Sequence, residues 1–259
     1  MKKFYILGFL LIALLITKYT IALSPVGEIV FIEGNVQVQA AMGKTWKRAE
    51  LNMPLNIGDS IRTARRSKAD IVVDKANKHT VRVEEQTLVV LSSTSPGQIN
   101  KIDLSNGKVF ADVEKMMEGM TFEVSTPSST AGVRGSGMGV ESNRERDEFA
   151  AFKDNVYVKS FDEQNNLISE TTIPEGFKVE ADRFEGPGEL AQLTDRDRQG
   201  WDQLKEDLTQ RTEGRGPSKK EDTSALLDSV EEVVETGDIT GAKEVIEDQA
   251  EVEGGCGES

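Results

Sequence analysis

The side chains that most often do chemistry are scarce in this chain: its 259 residues hold one histidine, His79, and one cysteine, Cys256. Structural zinc sites, haem ligation and histidine-based nucleophile triads need several such ligands, or a base beside a nucleophile, so these classes fall away. A few suggestive spacings remain. Gly135, Gly137 and Gly139 form a GxGxG run. A phosphate loop needs a helix opening at such glycines, whereas Val133, Met138 and Val140 give this run the alternation of a strand. The glycines read instead as room for another chain segment to come close. Met116, Met117 and Met120 offer soft thioethers of the kind that capture copper, but such side chains more commonly fill gaps beside a core. His79, in DKANKHT, has no neighbouring histidine or cysteine and is expected on an exposed hairpin. Paired acids such as Glu84-Glu85 and Glu231-Glu232 are too frequent here to nominate a glycosidase pair, whose action depends on spatial separation. No catalytic, metal or cofactor set emerges, and the chain reads as not an enzyme.

The formal charge is -14, from 45 acidic and 31 basic side chains. Duplex DNA is excluded as a partner, because neutralising phosphates takes a concentration of Lys and Arg. The acidity is uneven. Residues 1–22 carry +3 and residues 195–259 carry -11, so the middle is close to an ordinary balanced surface. At the amino terminus, Lys2 and Lys3 precede an uncharged run of 14 residues, Phe4 to Thr17, ended by Lys18. A membrane span needs about 20 apolar residues and a signal-peptide core roughly 7 to 15, so residues 1–22 read as a signal peptide, with an uncleaved signal anchor as the alternative. Thr20 and Ala22 supply a cleavage site. The expected location is therefore outside the cytoplasm, in the periplasm or envelope, with membrane contact only through an uncleaved anchor. Cys256 then has no internal disulfide partner.

The elements that would position any site are short strands. From Glu28 to about Ala181, period-two alternation is broken every 8 to 12 residues by turn residues. The expected fold class is all-β, sandwich-like or coiled into a solenoid, followed by a packed helix and an acidic helical tail. The text on either side of Gly34-Asn35 reads as a compact hairpin. Further strands are expected at Ile99 to Leu104, Lys108 to Val113 and Gly132 to Val140, among others, with a helical turn between Glu114 and Met120. After Gly186-Pro187-Gly188 the period changes. Thr194 with Asp197 reads as a helix start, and Trp201, Leu204 and Leu208 share one face, with Trp201 as anchor. Residues 212–222 form a polar linker. Leu226, Leu227, Val230, Val233 and Val234 then make an amphipathic helix that is a candidate partner-binding element.

Four segments, in order, resemble the FecR-type domain, named after a ferric citrate regulator of the bacterial envelope. They are Gly27, Val30, Gly34, Val36 and Trp46; then Leu55, Gly58, Asp59, Ile61 and Thr63, with Ser67, Ala69 and Ile71; then Gly107 and Val109; then Phe122, Val124, Thr126 and Pro127, continuing through Ala131, Val133, Arg134, Gly135, Ser136, Met138 and Val140. Residues 23–185 are accordingly the β domain, 186–211 its packing helix, and 212–259 an acidic linker with short helices, partly disordered. The motif residues are read as architectural: Gly58 takes a positive φ, the Asp59 carboxylate accepts backbone N-H groups, and Thr126-Pro127 ends a strand. Arg134 is either exposed or paired with an acid, Asp59 being the best candidate. The resemblance implies a signal-receiving envelope part, and in the family's regulators also a cytoplasmic anti-sigma region. Only Met1-Lys2-Lys3 precede the apolar run here, so direct sigma-factor control is not expected. The leading expectation is a non-catalytic binding or scaffolding module with an envelope protein, or less so a wall or capsule glycan, as partner. A signal-anchored signalling component and a carboxylate enzyme acting on polysaccharide are the alternatives.

Overall fold

The computed structural model describes residues 25–74, 79–94, 99–117 and 119–214. The described residues up to Leu204 form one compact unit, and the chain from Lys205 belongs to a second, of which only the end of one helix is described. The first half of the β domain supplies β1 (Gly27–Glu33), β2 (Val36–Gln39), β3 (Lys47–Arg48), β4 (Pro54–Leu55), β5 (Ser60–Thr63), β6 (Lys68–Asp74), β7 (His79–Val83) and β8 (Leu88–Ser92), then the long β9 (Lys101–Asp112). The second half supplies β10 (Phe122–Ser125), β11 (Ser129–Val133), β12 (Gly137–Ser142), β13 (Arg146–Lys153), β14 (Val156–Phe161), β15 (Leu167–Ile173), β16 (Phe177–Asp182) and β17 (Ala191–Gln192), followed by helix α1 (Asp195–Gly214).

Pairing sorts these strands into two sheets. The first runs β4-β1-β6-β7-β9-β12-β13-β16-β17 and the second β3-β2-β5-β8-β9-β10-β11-β14-β15. Strand β9 belongs to both: Lys101 to Asn106 pair with β8 and β10, and Gly107 to Asp112 with β7 and β12. All pairs are antiparallel except β9 with β10. Alternation puts Ile29, Ile71, Val81, Val109 and Phe149 of the first sheet against Val36, Ile61, Val89, Leu104 and Val158 of the second in one buried core. The architecture is the sandwich alternative of the expected fold class.

Ten passages lead from one sheet to the other, and each contains one residue with positive φ: Gly34, Asn52, Gly58, Arg66, Gln86, Gly107, Gly119, Gly135, Asp154 and Gly176. Only two described residues elsewhere, Asn165 and Phe184, share that conformation. A left-handed residue reverses the local twist and swings an extended chain out of its sheet, which a run of ordinary strand residues does not do.

This device explains where the sequence reading goes astray. β1 and β2 form no hairpin, because Gly34-Asn35 carries the chain across the sandwich and each strand pairs elsewhere. The strands expected at Ile99 to Leu104 and Lys108 to Val113 are two arms of β9, bent at Gly107, while the one expected over Gly132 to Val140 is two strands broken at Arg134-Gly135. The described residues between Glu114 and Met120 form no helical turn. His79 is buried rather than exposed: it pairs opposite Asp74, its Nδ1 accepts the Glu114 N-H at 3.2 Å, and its ring tilts against Phe122.

Helix α1 starts as the sequence suggests. The Thr194 N-H and hydroxyl donate to the Asp197 carboxylate at 2.8 and 2.7 Å, and the Asp197 N-H donates back to Thr194 Oγ1 at 3.3 Å, a reciprocal cap. Lys178 Nζ donates to both Asp197 and Glu148 at 2.8 Å, tying the first turn to β16 and β13. Trp201 lies on the outer face of the first sheet, stacked on Phe152 with ring centroids 5.2 Å apart. The GxGxG run makes that approach geometrically available. A Cβ on Gly137 would fall 2.4 Å from the Trp201 ring, and one on Gly139 2.8 Å from Phe152.

Burial works against ionisation of Asp197, but hydrogen bonds from Lys178 and Thr194 outweigh it and hold the carboxyl at about 2. In the unfolded chain the group titrates near about 3.9. Its stabilisation is therefore complete above that value, declines as the pH falls, and is lost below about 2. Discounted for solvent screening, it amounts to about 1 kcal/mol. Unfolding free energies from urea titrations of Asp197→Asn and the unaltered chain should differ by that much at neutral pH and converge below pH 2.

Candidate binding surfaces

The motif residues occupy the sandwich's frame. Leu55 is buried in the core. At the end where β1 passes to β2, Gly34 sits where a Cβ would lie 2.4 Å from Ser67 Oγ, and Ser67 Oγ accepts the Asn35 N-H at 2.9 Å. One passage over, Thr63 Oγ1 donates to the Glu84 carbonyl at 2.5 Å and accepts the Thr87 N-H at 3.0 Å. Thr87 Oγ1 in turn accepts the Lys108 N-H at 3.0 Å. Small hydroxyls thus lace successive passages together, satisfying backbone groups that leave their sheets at the bend. At the opposite end, Gly58 turns with φ +90 while Asp59, buried, accepts the Ala41 and Asn56 N-H groups at 3.0 and 2.9 Å. Asp59 is thereby committed, and Arg134 stands exposed with no ion pair to it. Gly135, at φ +121, packs against Lys115, where a Cβ would lie 2.6 Å from that residue's Cα. Trp46 is half-buried on the outer face of the second sheet with the Arg62 guanidinium 4.2 Å from its ring centre.

Three buried charged side chains, at two places in the sandwich, carry no mark in the sequence. Asp147, fully buried, accepts hydroxyls from Thr126, Ser128 and Ser142 at 2.5, 2.7 and 2.7 Å, with Arg183 3.8 Å away. Thr126 of the motif, with Ser128, therefore holds the β10–β11 turn against the β12–β13 hairpin. Three hydroxyls converging on a carboxylate with no imidazole beside them form a structural hub rather than an activated nucleophile. Asp70 and Arg82, opposite each other on β6 and β7, form a buried bidentate pair with Arg82 Nε and Nη2 at 2.7 and 2.8 Å from the carboxylate oxygens. Only their alternation with Ile71 and Val81 was legible, and it places them on the outer face.

A cleft of about 450 Å³ lies beside the first turns of α1. It gathers Glu84, Glu85, Glu141 and Asp197, the kind of carboxylate cluster that would suit a polysaccharide-active enzyme. Three of the four are committed. Glu141 pairs with Lys108 at 3.1 Å, Glu85 accepts the Arg66 N-H at 2.6 Å, and Asp197 caps α1. Glu84 is held above the usual carboxylate range by burial, partly offset by Arg82 and Lys68.

The sheet edges differ sharply. Strands β3, β4 and β17, at three of the four edges, are two residues long. The fourth edge, β15, has seven residues, LISETTI, paired on one side with β14. Leu167 and Ile168 on it are about half exposed. The Asp162 N-H donates to the Asn166 carbonyl and the Phe161 N-H to the Ser128 carbonyl. Continuing that alternation along β14 directs Ser169, Thr171 and Ile173 inward to β14, and leaves the N-H and C=O groups of Glu170 and Thr172 pointing off the sheet, with Ile168 the extra residue of a bulge opposite Ser160 and Phe161. Among the described residues, no strand pairs there. The expected partner-binding positions Leu226, Leu227, Val230, Val233 and Val234 lie outside the described residues.

Comparison with known proteins adds a family and a pair of solved structures. No curated protein matches the chain. Two crystal structures of what is described as a "putative anti-sigma factor" from Parabacteroides distasonis, at 1.65 and 2.50 Å resolution, align at 15% identity with TM-scores of 0.42 and 0.43 over 56% of this chain. The alignments take in 64% and 63% of those chains, so this chain spans less than two thirds of their length. A family model described as FecR protein matches residues 59–157. The stretch that is similar to this family runs from the turn at Asp59, through the shared strand β9, to the opening of β14.

Proposed function

We propose that this chain is an exported, non-catalytic module of the bacterial cell envelope, whose FecR domain binds a protein partner in signalling or scaffolding by accepting one of its strands along β15. The observation that carries the reading is the contrast, among the described residues, between three two-residue sheet edges and one seven-residue edge. Open edges recruit strands, and proteins ordinarily shorten, charge or cover them, so a seven-residue edge that no described strand covers, with Leu167 and Ile168 half exposed, calls for an occupant. The FecR match supports envelope signalling as the setting.

Thr172→Pro is the direct test. It removes a donor that points away from β14, so the fold should survive. Envelope proteins captured by the unaltered chain should be lost from the variant, while both retain the same circular dichroism. Equal capture by the two, or capture of glycan alone, would refute the reading. Whether the amino-terminal segment is cleaved is read by mass spectrometry: a mature chain starting near Leu23 is expected, and retention of residues 1–22 would instead make the chain a signal-anchored component.

A further inference from the structure

Charge is unevenly spread over the second sheet. Residues 34–48 and 60–68, which supply β2, β3 and β5, hold seven cations and no acid in a chain of formal charge -14. Four of these cations, Lys44, Lys47, Arg48 and Arg62, are exposed and form no ion pair among the described residues. The acids that flank the two stretches do little to offset them. Glu33 pairs with Lys68, Asp70 with Arg82, and Asp59 is buried on backbone N-H groups, which leaves Glu50 exposed after β3. Strand β8, next in the sheet, carries no charge.

Two of the cations stand in register. Gln37 pairs opposite Arg48 on one side and Arg62 on the other, so the three share one row of the outer face, with the arginines two strand spacings, ~10 Å, apart. Arg62 is held ready for an anion: its Nε donates to Gln37 Oε1 at 2.8 Å, its central carbon lies 4.2 Å from the Trp46 ring centre, and its two Nη groups meet no acceptor among the described residues. A guanidinium anchored at Nε and backed by an aromatic ring offers its free fork to a carboxylate with little ordering left to do. The step between the arginines selects among polyanions. Side chains on one face of an extended peptide recur every ~7 Å, out of step with the row. Carboxylates on every second sugar of a polysaccharide recur at the length of two rings, about the arginine step, and the amides of Gln37 and Gln39 and the Ser60 hydroxyl suit sugar hydroxyls. A bilayer fits less well, because the aromatic ring on this row lies against the guanidinium instead of being offered to lipid.

We infer that the row Arg48–Gln37–Arg62 binds an acidic polysaccharide carrying a carboxylate on alternate sugars, with Lys44 and Lys47 adding long-range attraction. The site is independent of β15, which lies at the opposite edge of the same sheet. It is tested by titrating the full chain with hyaluronan, whose sugars are alternately acidic and neutral, beside neutral dextran, poly-L-glutamate and phosphatidylglycerol vesicles. Hyaluronan should bind and dextran should not, and Arg48→Gln with Arg62→Gln should weaken binding by about tenfold or more with unchanged circular dichroism. Arg62→Lys, which keeps the charge but not the fork, should also lose most of the affinity, while Thr172→Pro and Lys159→Gln should bind hyaluronan like the unaltered chain. Absence of hyaluronan binding would overturn the inference, as would full binding by Arg62→Lys, which would reduce the site to diffuse charge. Tighter binding of poly-L-glutamate or of the vesicles would also overturn it, making the occupant an acidic protein or a membrane.

Discussion

Gly107→Ala should destabilise the β domain by about 3 to 5 kcal/mol, the sum of an unfavourable backbone and an overpacked contact. Gly107 is where β9 leaves one sheet for the other, with φ +102. An added Cβ would lie 2.2 Å from Thr87 Oγ1, 2.5 Å from its Cα and 2.6 Å from its Cβ. A rotamer change at Thr87 could move the hydroxyl but not the Cα, so relief requires backbone movement. Thr87 cannot give way freely either, because its hydroxyl also accepts the Lys108 N-H that the bend takes out of its sheet. Since β9 is the one strand common to both sheets, the loss should appear in the cooperative transition as a whole. Urea unfolding of Gly107→Ala beside Ser105→Ala, an exposed neighbour on the same strand, would show it, with little change expected for the control.

Asp70→Ala should cost about 3 to 5 kcal/mol, because it leaves the Arg82 guanidinium buried without the carboxylate that compensates it. The pair is 0% and 1% exposed, and Phe31 lies with its ring centre 5.9 Å from that guanidinium. Replacing both partners, as Asp70→Leu with Arg82→Met, should recover most of the loss, since the desolvation cost of both charges goes with them. A double-mutant cycle by chemical denaturation checks this, and additive losses would mean that the two side chains act independently.

Much of the strand inventory was legible in the sequence because alternation survives in strands with one face in a core, as VQVQ at β2 and VYVKSF at β14 do. The passages between sheets were not. Gly34, Gly107 and Gly135 look like ordinary turn or strand glycines, and Arg66, Gln86 and Asp154 give no hint of positive φ, so bent segments read as hairpins or as single straight strands. His79 was misplaced for a related reason: a histidine with no ligand partner reads as surface, yet β7 is covered on both faces along its length. A close approach at the glycine run and Trp201 as the helix's anchor were each legible, but not that the two meet, which happens at Gly137. Arg134 was undecided between an ion pair and exposure, and Asp59 resolves it by spending its carboxylate on two backbone N-H groups. The β15 edge could not be read, since which strands end a sheet depends on long-range pairing.

The central claim, strand addition at β15, is tested most directly by amide hydrogen exchange along Leu167 to Ile173. In the free protein, Glu170 and Thr172 should exchange quickly while Ser169, Thr171 and Ile173 are protected by β14. With the captured partner bound, all five should be protected. A partner that binds tightly while Glu170 and Thr172 go on exchanging at their free rates would contradict the account.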